Sequence, residues 1–258
     1  MAVYCIDIGN SFTHFGVVEN AAVVSSRDIA TSHLIAADDE ACAVVREIAA
    51  TGMPVSYASV VPAATKGIAR LFESTGIAER VFNLNCDTIR GLEIAYPNPR
   101  EIGQDRLANA LAAQELFGLP CLVVSLGTAT VFDVLSARGY EGGSIAPGLA
   151  MMTDYLHEKA AQLPKIDRFD LATCGAIGKS TADALRIGSR LGFIGMVKEI
   201  ANATIGEMEK QGMRAIPVVV TGGNARVLPE NWRDDIKFVP NLGMAGLEIA
   251  WRRCGNKI

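Results

Sequence analysis

The chain has 258 residues, half of them hydrophobic and a fifth charged, with 24 basic against 28 acidic side chains and a net charge of −4. That length holds one large domain or two modest ones with real cores, and the near-even charge gives no reason to expect nucleic acid or an anionic membrane as a partner. The opening MAVYCIDIGN has no basic stretch leading into a long apolar one. No run of about 18 apolar residues occurs either, so a cytoplasmic protein without a membrane span is expected.

Short stretches rich in Val and Ile near 3–8, 13–18 and 21–25 predict a meander of strands. DDEACAVVREIAA (38–50) sets Ala, Val and Ile at helical spacing and is closed by Gly52. PVSYASVV (54–61) reads as a strand, and Pro62 opens a helix. REIGQDRLANALAAQELFG (100–118) predicts a helix ending at Gly118, with Leu107, Ala110, Leu111 and Leu116 as its buried stripe. From Cys121 the strands resume through 130–136 and 140–146. Helices follow over 148–162 and 178–211, the second interrupted around Gly188, Gly192 and Gly195. AIPVVVTGGNARVL (215–228) predicts a buried strand running through a glycine pair into a helix, and LGMAGLEIAWRRCG predicts an amphipathic C-terminal helix.

The cysteines (Cys5, Cys42, Cys86, Cys121, Cys174, Cys254) form no CxxC pair and no cluster with histidine. Cys5 and Cys121 sit in strand patterns, as buried free thiols of a reducing compartment would. His14, His33 and His157 are isolated and read as structural or surface residues. Met151, Met152 and Met196 read as core residues, and GYEGGSIAPGL as a hairpin and a turn into a helix.

VYCIDIGNSFTHFGVV (3–18) and CLVVSLGTATVFDVL (121–135) are near copies, each a strand, a tight loop and a strand. Each is followed by alternating helices and strands, a repeat on the scale of a domain. It predicts two domains, 1–118 and 119–258, divided at FGLP (117–120). The offset from residue 7 to residue 125 is 118; it sets Gly9 on Gly127, Asn10 on Thr128 and Phe12 on Thr130.

A glycine turn between strands can aim several backbone N–H groups at one point and bind phosphate, with hydroxyl and amide side chains as further donors. Gly9, Asn10 and Ser11 in the first loop, and Gly127 and Thr128 in the second, suit that task. Asp7 would instead hold Mg²⁺, directly or through water, bridging to the phosphates. An ordinary hairpin turn accounts for either loop alone, since Asp, Gly and Asn favour turns. The third element, VVVTGGNA (218–225), lets a ligand lie against Gly222 and Gly223 at the start of a helix. The ordered set of three is far more specific than any one member.

These three elements resemble the actin/Hsp70/sugar-kinase class of ATP-binding folds. In detail the chain resembles the type III pantothenate kinase family over essentially its full length. DIGNS, YPNPREIGQDRLANALAA, GTATVFDVL, GYEGGSIAPGLAMM, AQLPKI, AIGKST and VTGGNA match in order, GQDRLANA and GGSIAPGL being the most specific. The resemblance implies an α/β fold of duplicated actin-like (ribonuclease H-like) ATPase domains with a nucleotide cleft between them. It also implies ATP-dependent phosphorylation of pantothenate to 4′-phosphopantothenate, the first step towards coenzyme A, by a homodimer using ATP and Mg²⁺.

Phosphoryl transfer to an alcohol needs positioning, charge neutralisation and a proton acceptor. Asp105, at a predicted helix start, could take the hydroxyl proton, and Arg106 could pair with a substrate carboxylate. From position alone Asp105 is an ordinary acid of a first helical turn and Arg106 a solvated neighbour. The resemblance implies that Asp105 is the general base and that Gly103, Arg106, Tyr96 and Thr181 line the pantothenate site. Tyr96 could equally be a buried aromatic beside Pro97. Ser180 stands where the family more often has Asn.

One position departs from the family pattern. Its second loop usually reads D-x-G-T-A-T, and here it reads SLGTAT, with Ser125 in place of the acid. The acid resembles a residue that helps bind an activating monovalent cation, K⁺ or NH₄⁺, and a neutral hydroxyl attracts a cation far less. An altered cation site, a diverged paralogue and an introduced change all account for Ser125, while Asp7, Asp105, Arg106 and Asp133 remain. An active kinase is expected. The alternatives are a regulatory or accessory protein built on the kinase scaffold, and a kinase for another small hydroxy acid.

Overall fold

The computed structural model describes residues 1–160, 162–167, 175–229 and 232–255. They divide into two units. The first holds the chain up to Gly118, the stretch Arg138–Glu141 and the chain from Asn241 onward; the second holds Leu119–Ala137 and Gly142–Pro240.

The first unit opens with β1 (Val3–Ile8), β2 (Phe12–Glu19) and β3 (Ala22–Ala30), an antiparallel meander. After it come α1 (Thr31–Ala36), α2 (Asp39–Thr51), β4 (Val55–Ser59), α3 (Pro62–Ser74), β5 (Val81–Asn83) and α4 (Gln104–Phe117). β4 and β5 join in parallel, giving the order β3-β2-β1-β4-β5. β3 runs well past residue 25, and sequence periodicity missed this because Ser25, Ser26, Arg27 and Asp28 are all exposed and carry no apolar alternation. Asp38 caps α2 by accepting from the N–H groups of Glu40 and Ala41, and Gly52 ends it at a φ of 69°. Ile6, Phe15, Val44, Ile48 and Ile68 belong to this unit's core.

The second unit repeats the plan with β6 (Cys121–Leu126), β7 (Ala129–Ser136), β8 (Gly139–Pro147, its first residues counted with the first unit), α5 (Leu149–Lys159), α6 (Thr181–Lys210), β9 (Val218–Thr221) and β10 (Ile236–Phe238). Its sheet order, β10-β9-β6-β7-β8, is the first sheet's order read from the other edge. The duplication is therefore one of topology as well as of sequence. Its hairpin is one residue tighter, with Gly127 and Thr128 between the strands where the first has Gly9, Asn10 and Ser11. Gly9 N donates to Phe12 O, whereas Gly127 N donates to Ala129 O. Phe12 therefore corresponds to Ala129, and not to Thr130 as a constant offset predicts.

Other expectations change as well. α6 is unbroken over 30 residues. Phe193, Ile194, Val197, Ala201 and Ile205 anchor it, while Gly188, Gly192 and Gly195 lie on its exposed side. After the glycine pair there is a single 3₁₀ turn, Ala225–Val227, in place of a helix. Met151 is exposed, while Met152 and Met196 pack on the core.

The last helix, α7 (Leu242–Cys254), returns to the first unit and is buried continuously from Leu242 to Trp251, so it has no polar face over that span. It packs on β1, β4 and α4. A Cβ at Gly246 would stand 1.9 Å from the Ala108 carbonyl oxygen, so the backbones of α4 and α7 touch there. The same packing buries α4 from Leu107 to Ala113 and leaves Leu116 exposed, so α4 has no narrow stripe. Cys5 and Cys121 are buried free thiols, and burial pushes the Cys121 thiol up to about 12. Cys174 and part of AQLPKI lie outside the described residues.

Candidate active site

In the first unit, Asp7 is next to last in β1, opposite His14 on β2 and beside Ala58 on β4. The turn after it is tied down by Thr31, whose Oγ1 donates to Gly9 O at 2.7 Å and whose N–H donates to Ser11 O at 3.1 Å. Asn10 and Ser11 are left exposed at the tip.

The start of α4 is anchored to the neighbouring strand ends. Gln104 Oε1 accepts from Ser59 N at 2.8 Å and from Asn83 Nδ2 at 3.0 Å. Asp105 follows, and its Oδ1 accepts from Arg106 N at 2.9 Å. A Cβ at residue 103 would lie 2.5 Å from that same oxygen, so Gly103 is required by the position of the carboxylate and not by its own φ of −57°. Burial pushes the Asp105 carboxyl up, and the N–H and positive charge of Arg106 pull it back. Asp7 is pushed up to about 6 by burial first and by the charge of Asp105 second, with His14 acting the other way. Two carboxylates from separate elements thus sense each other within one unit.

The Arg106 guanidinium lies 5.7 Å from the ring centre of Tyr140, and Tyr96 meets that ring edge-on at 6.1 Å. Tyr140 is fully buried, and backbone bonds to Glu93 and Ala95 clamp it. Sequence reading passed over Tyr140. The available signal was the preceding Gly139, at a φ of 97°, where a Cβ would stand 2.1 Å from Glu93 O. A cavity of about 410 Å³ opens beside Gly103 and Gln104, lined also by Ser59, Asn85, Arg100 and Glu101.

In the second unit, Ser125 on β6 pairs with Val131 on β7 and Thr221 on β9. Asn224 N donates to Leu126 O, and Asn224 Nδ2 to Gly127 O at 3.0 Å, binding the glycine-pair turn to the hairpin loop. Gly222 (φ 94°) presses on the Leu126 backbone, and a Cβ at Gly148 would meet Thr128 O at 2.2 Å. Gly127, Thr128, Gly222 and Gly223 are therefore brought together. GYEGGSIAPGL forms a strand and the entry to a helix, as expected, with Gly148 supporting the loop. A cavity of about 390 Å³ adjoins the glycine pair, lined by Val220, Gly222, Gly223, Arg226, Leu228 and Phe238. Thr181 is the exposed first residue of α6, behind the cap Ser180, whose side chain accepts from Asp183 N.

Among the described residues, no group of three or more His, Cys, Asp or Glu side chains could cage a metal. A single half-buried carboxylate, Asp7, next to a tight glycine turn fits Mg²⁺ of the kind held mainly by phosphate and water. His14, His33 and His157 bond instead to Asp28, Asp38 and Leu163 O, as structural or surface residues do. Among the described residues no helix is long and apolar enough to cross a membrane.

Two sheets of the same order, each with a glycine hairpin loop, define the fold of actin-like sugar kinases and ATPases. A hexokinase of the ROK class from Thermus thermophilus has the same fold, with a TM-score of 0.52, 16% identity and coverage of 97% of this chain and 98% of that one. A Baf-family protein from Campylobacter jejuni fits with a TM-score of 0.61 at 19% identity over 99% of this chain and 100% of that one. The family profile described as type III pantothenate kinase matches residues 3–203. A type III pantothenate kinase from Akkermansia muciniphila is 37% identical across 97% of this chain and 98% of its own, and one from Listeria monocytogenes 33% across 97% of both. This chain belongs to the type III pantothenate kinase family. It is a kinase that phosphorylates pantothenate at the expense of ATP in coenzyme A biosynthesis.

Proposed function

We propose that Asp105 is the base of this reaction. The observation that carries this reading is a carboxylate at the start of α4, fixed through one oxygen by the Arg106 N–H and raised by burial, with the Arg106 charge pulling it back. As the pantothenate hydroxyl forms its bond to the γ-phosphorus, its proton passes to Asp105 and the bond to ADP breaks. Arg106, held against Tyr140, pairs with the pantothenate carboxylate, with Tyr96 and Gly103 beside it in the same unit; Thr181, exposed at the start of α6, is a further substrate contact. In each unit the glycine N–H closes its own turn, from Gly9 to Phe12 O and from Gly127 to Ala129 O, so phosphate is met by the following residues, Asn10 and Ser11 in one loop and Thr128 in the other, and the cavity at Gly222 and Gly223 takes the nucleoside. Asp7 would hold Mg²⁺, which when bound would supply neutralisation of the phosphate charge.

Ser125 leaves a weakened monovalent-cation site, so the enzyme turns over without a strict need for K⁺ or NH₄⁺. It acts as a cytoplasmic homodimer that binds neither nucleic acid nor membrane. The exposed Ile145, Met151, Tyr155, Leu156 and Leu191 support the dimer, as do the open Gly188 and Gly195 of α6. The free buried thiols support a reducing compartment.

The test is a coupled ADP-release assay with pantothenate, ATP and Mg²⁺. Asp105→Asn is expected to lower kcat by about 10²–10⁴-fold with the KM for ATP little changed. Near-normal turnover of the folded variant would remove Asp105 as the base.

A further inference from the structure

We propose that Asn109 is a positioning residue for the divalent cation, acting with Asp7 across the bare Cα of Gly243. The proposal rests on Asp7 being the cation's carboxylate. Asn109 lies four residues beyond Asp105, one turn along the same face of α4. It is 7% exposed on a stretch that is otherwise apolar, Leu107, Ala108, Ala110, Leu111, Ala112 and Ala113. A buried amide costs free energy unless it finds a partner. Its carboxamide is the polar group of that stretch, with an oxygen that accepts and an NH₂ that donates.

Gly243 shows where that capacity points. A Cβ placed there would meet two atoms, Asn109 Oδ1 and Asp7 Oδ2, each at 3.3 Å. The amide from α4 and the carboxylate from β1 thus converge on one spot, with at most 6.6 Å (3.3 Å from each side) between them. One water bridges oxygens up to about 5.6 Å apart, through two hydrogen bonds of about 2.8 Å. Mg²⁺ sheds its waters reluctantly and is often held through them. Asn109 would therefore be within reach of the water shell of a cation held by Asp7. An amide does this without adding a third negative charge beside Asp7 and Asp105, which already repel each other. Gly243 has no side chain because one would fill the gap.

The test is Mn²⁺ binding, followed by electron paramagnetic resonance in the presence of a non-hydrolysable ATP analogue, with Mg²⁺ dependence of turnover measured alongside. Asn109→Leu keeps the bulk but removes the polar end. It is expected to raise the Mn²⁺ Kd by about tenfold, as loss of outer-sphere partners does, with the KM for pantothenate unchanged at saturating cation. Asn109→Ser restores a hydroxyl and is expected to recover part of the loss. A folded Asn109→Leu protein that binds Mn²⁺ as the wild type does would overturn the proposal, as would Asn109→Ser behaving no better than Asn109→Leu. Asp7→Asn is run beside them. If it too binds Mn²⁺ normally, the reading of Asp7 fails; if it alone loses binding, only the role of Asn109 does.

Discussion

Asp7 should be costly to the empty protein. Its carboxyl rises from 3.8 to about 6, chiefly through burial and then through the charge of Asp105. A carboxylate that titrates higher in the folded state destabilises that state once ionised. The penalty is complete above the folded value of about 6 and is lost as pH falls towards 3.8. A shift of this size corresponds to about 3 kcal/mol, and the solvent that reaches a half-buried group trims it to about 2–3 kcal/mol. Asp7→Asn keeps the shape and removes the charge. It should raise the Tm of the unliganded protein at pH 7 by about 4–8 °C, with the gain shrinking by roughly half at pH 5 as wild-type Asp7 takes up its proton. On the proposed role of Asp7 as the Mg²⁺ carboxylate, activity should fall over the same comparison. Differential scanning calorimetry across pH 5–8, without nucleotide, measures the effect. A variant no more stable than wild type at pH 7, or a gain that does not vary with pH, would refute the electrostatic account of this site.

Two further outcomes are expected. Ser125→Asp should make turnover rise when K⁺ replaces a large organic cation, by more than it does in the wild type; an unchanged ADP-release rate in both salts would show that residue 125 is no cation ligand here. Gly246→Ala would drive a methyl group into the Ala108 carbonyl, 1.9 Å away, and should cost about 3 kcal/mol of stability. Because it pushes on the helix that carries Asp105, kcat should fall as well; an unperturbed denaturant midpoint would refute the close α4–α7 contact.

The two glycine hairpins were legible in the sequence, because alternating Val and Ile around a glycine turn specify them locally. Gly103 and Asp105 were legible too, since the glycine is dictated by a carboxylate only two residues away. Other features depend on what the chain packs against. α6 passes unbroken through Gly188, Gly192 and Gly195 because buried neighbours hold it, and intrinsic propensity cannot register that. α7 is named amphipathic from its sequence and proves buried because it returns to lie against α4 and the first sheet. Tyr140 behind Arg106, and Asn109 facing Asp7 over Gly243, join residues that are 34 and 102 positions apart (106 to 140, 7 to 109). No local pattern carries such a pairing. Turns and strand alternation are short-range, so neighbouring residues are enough to specify them, whereas the meeting of distant buried polar groups depends on the return of the chain.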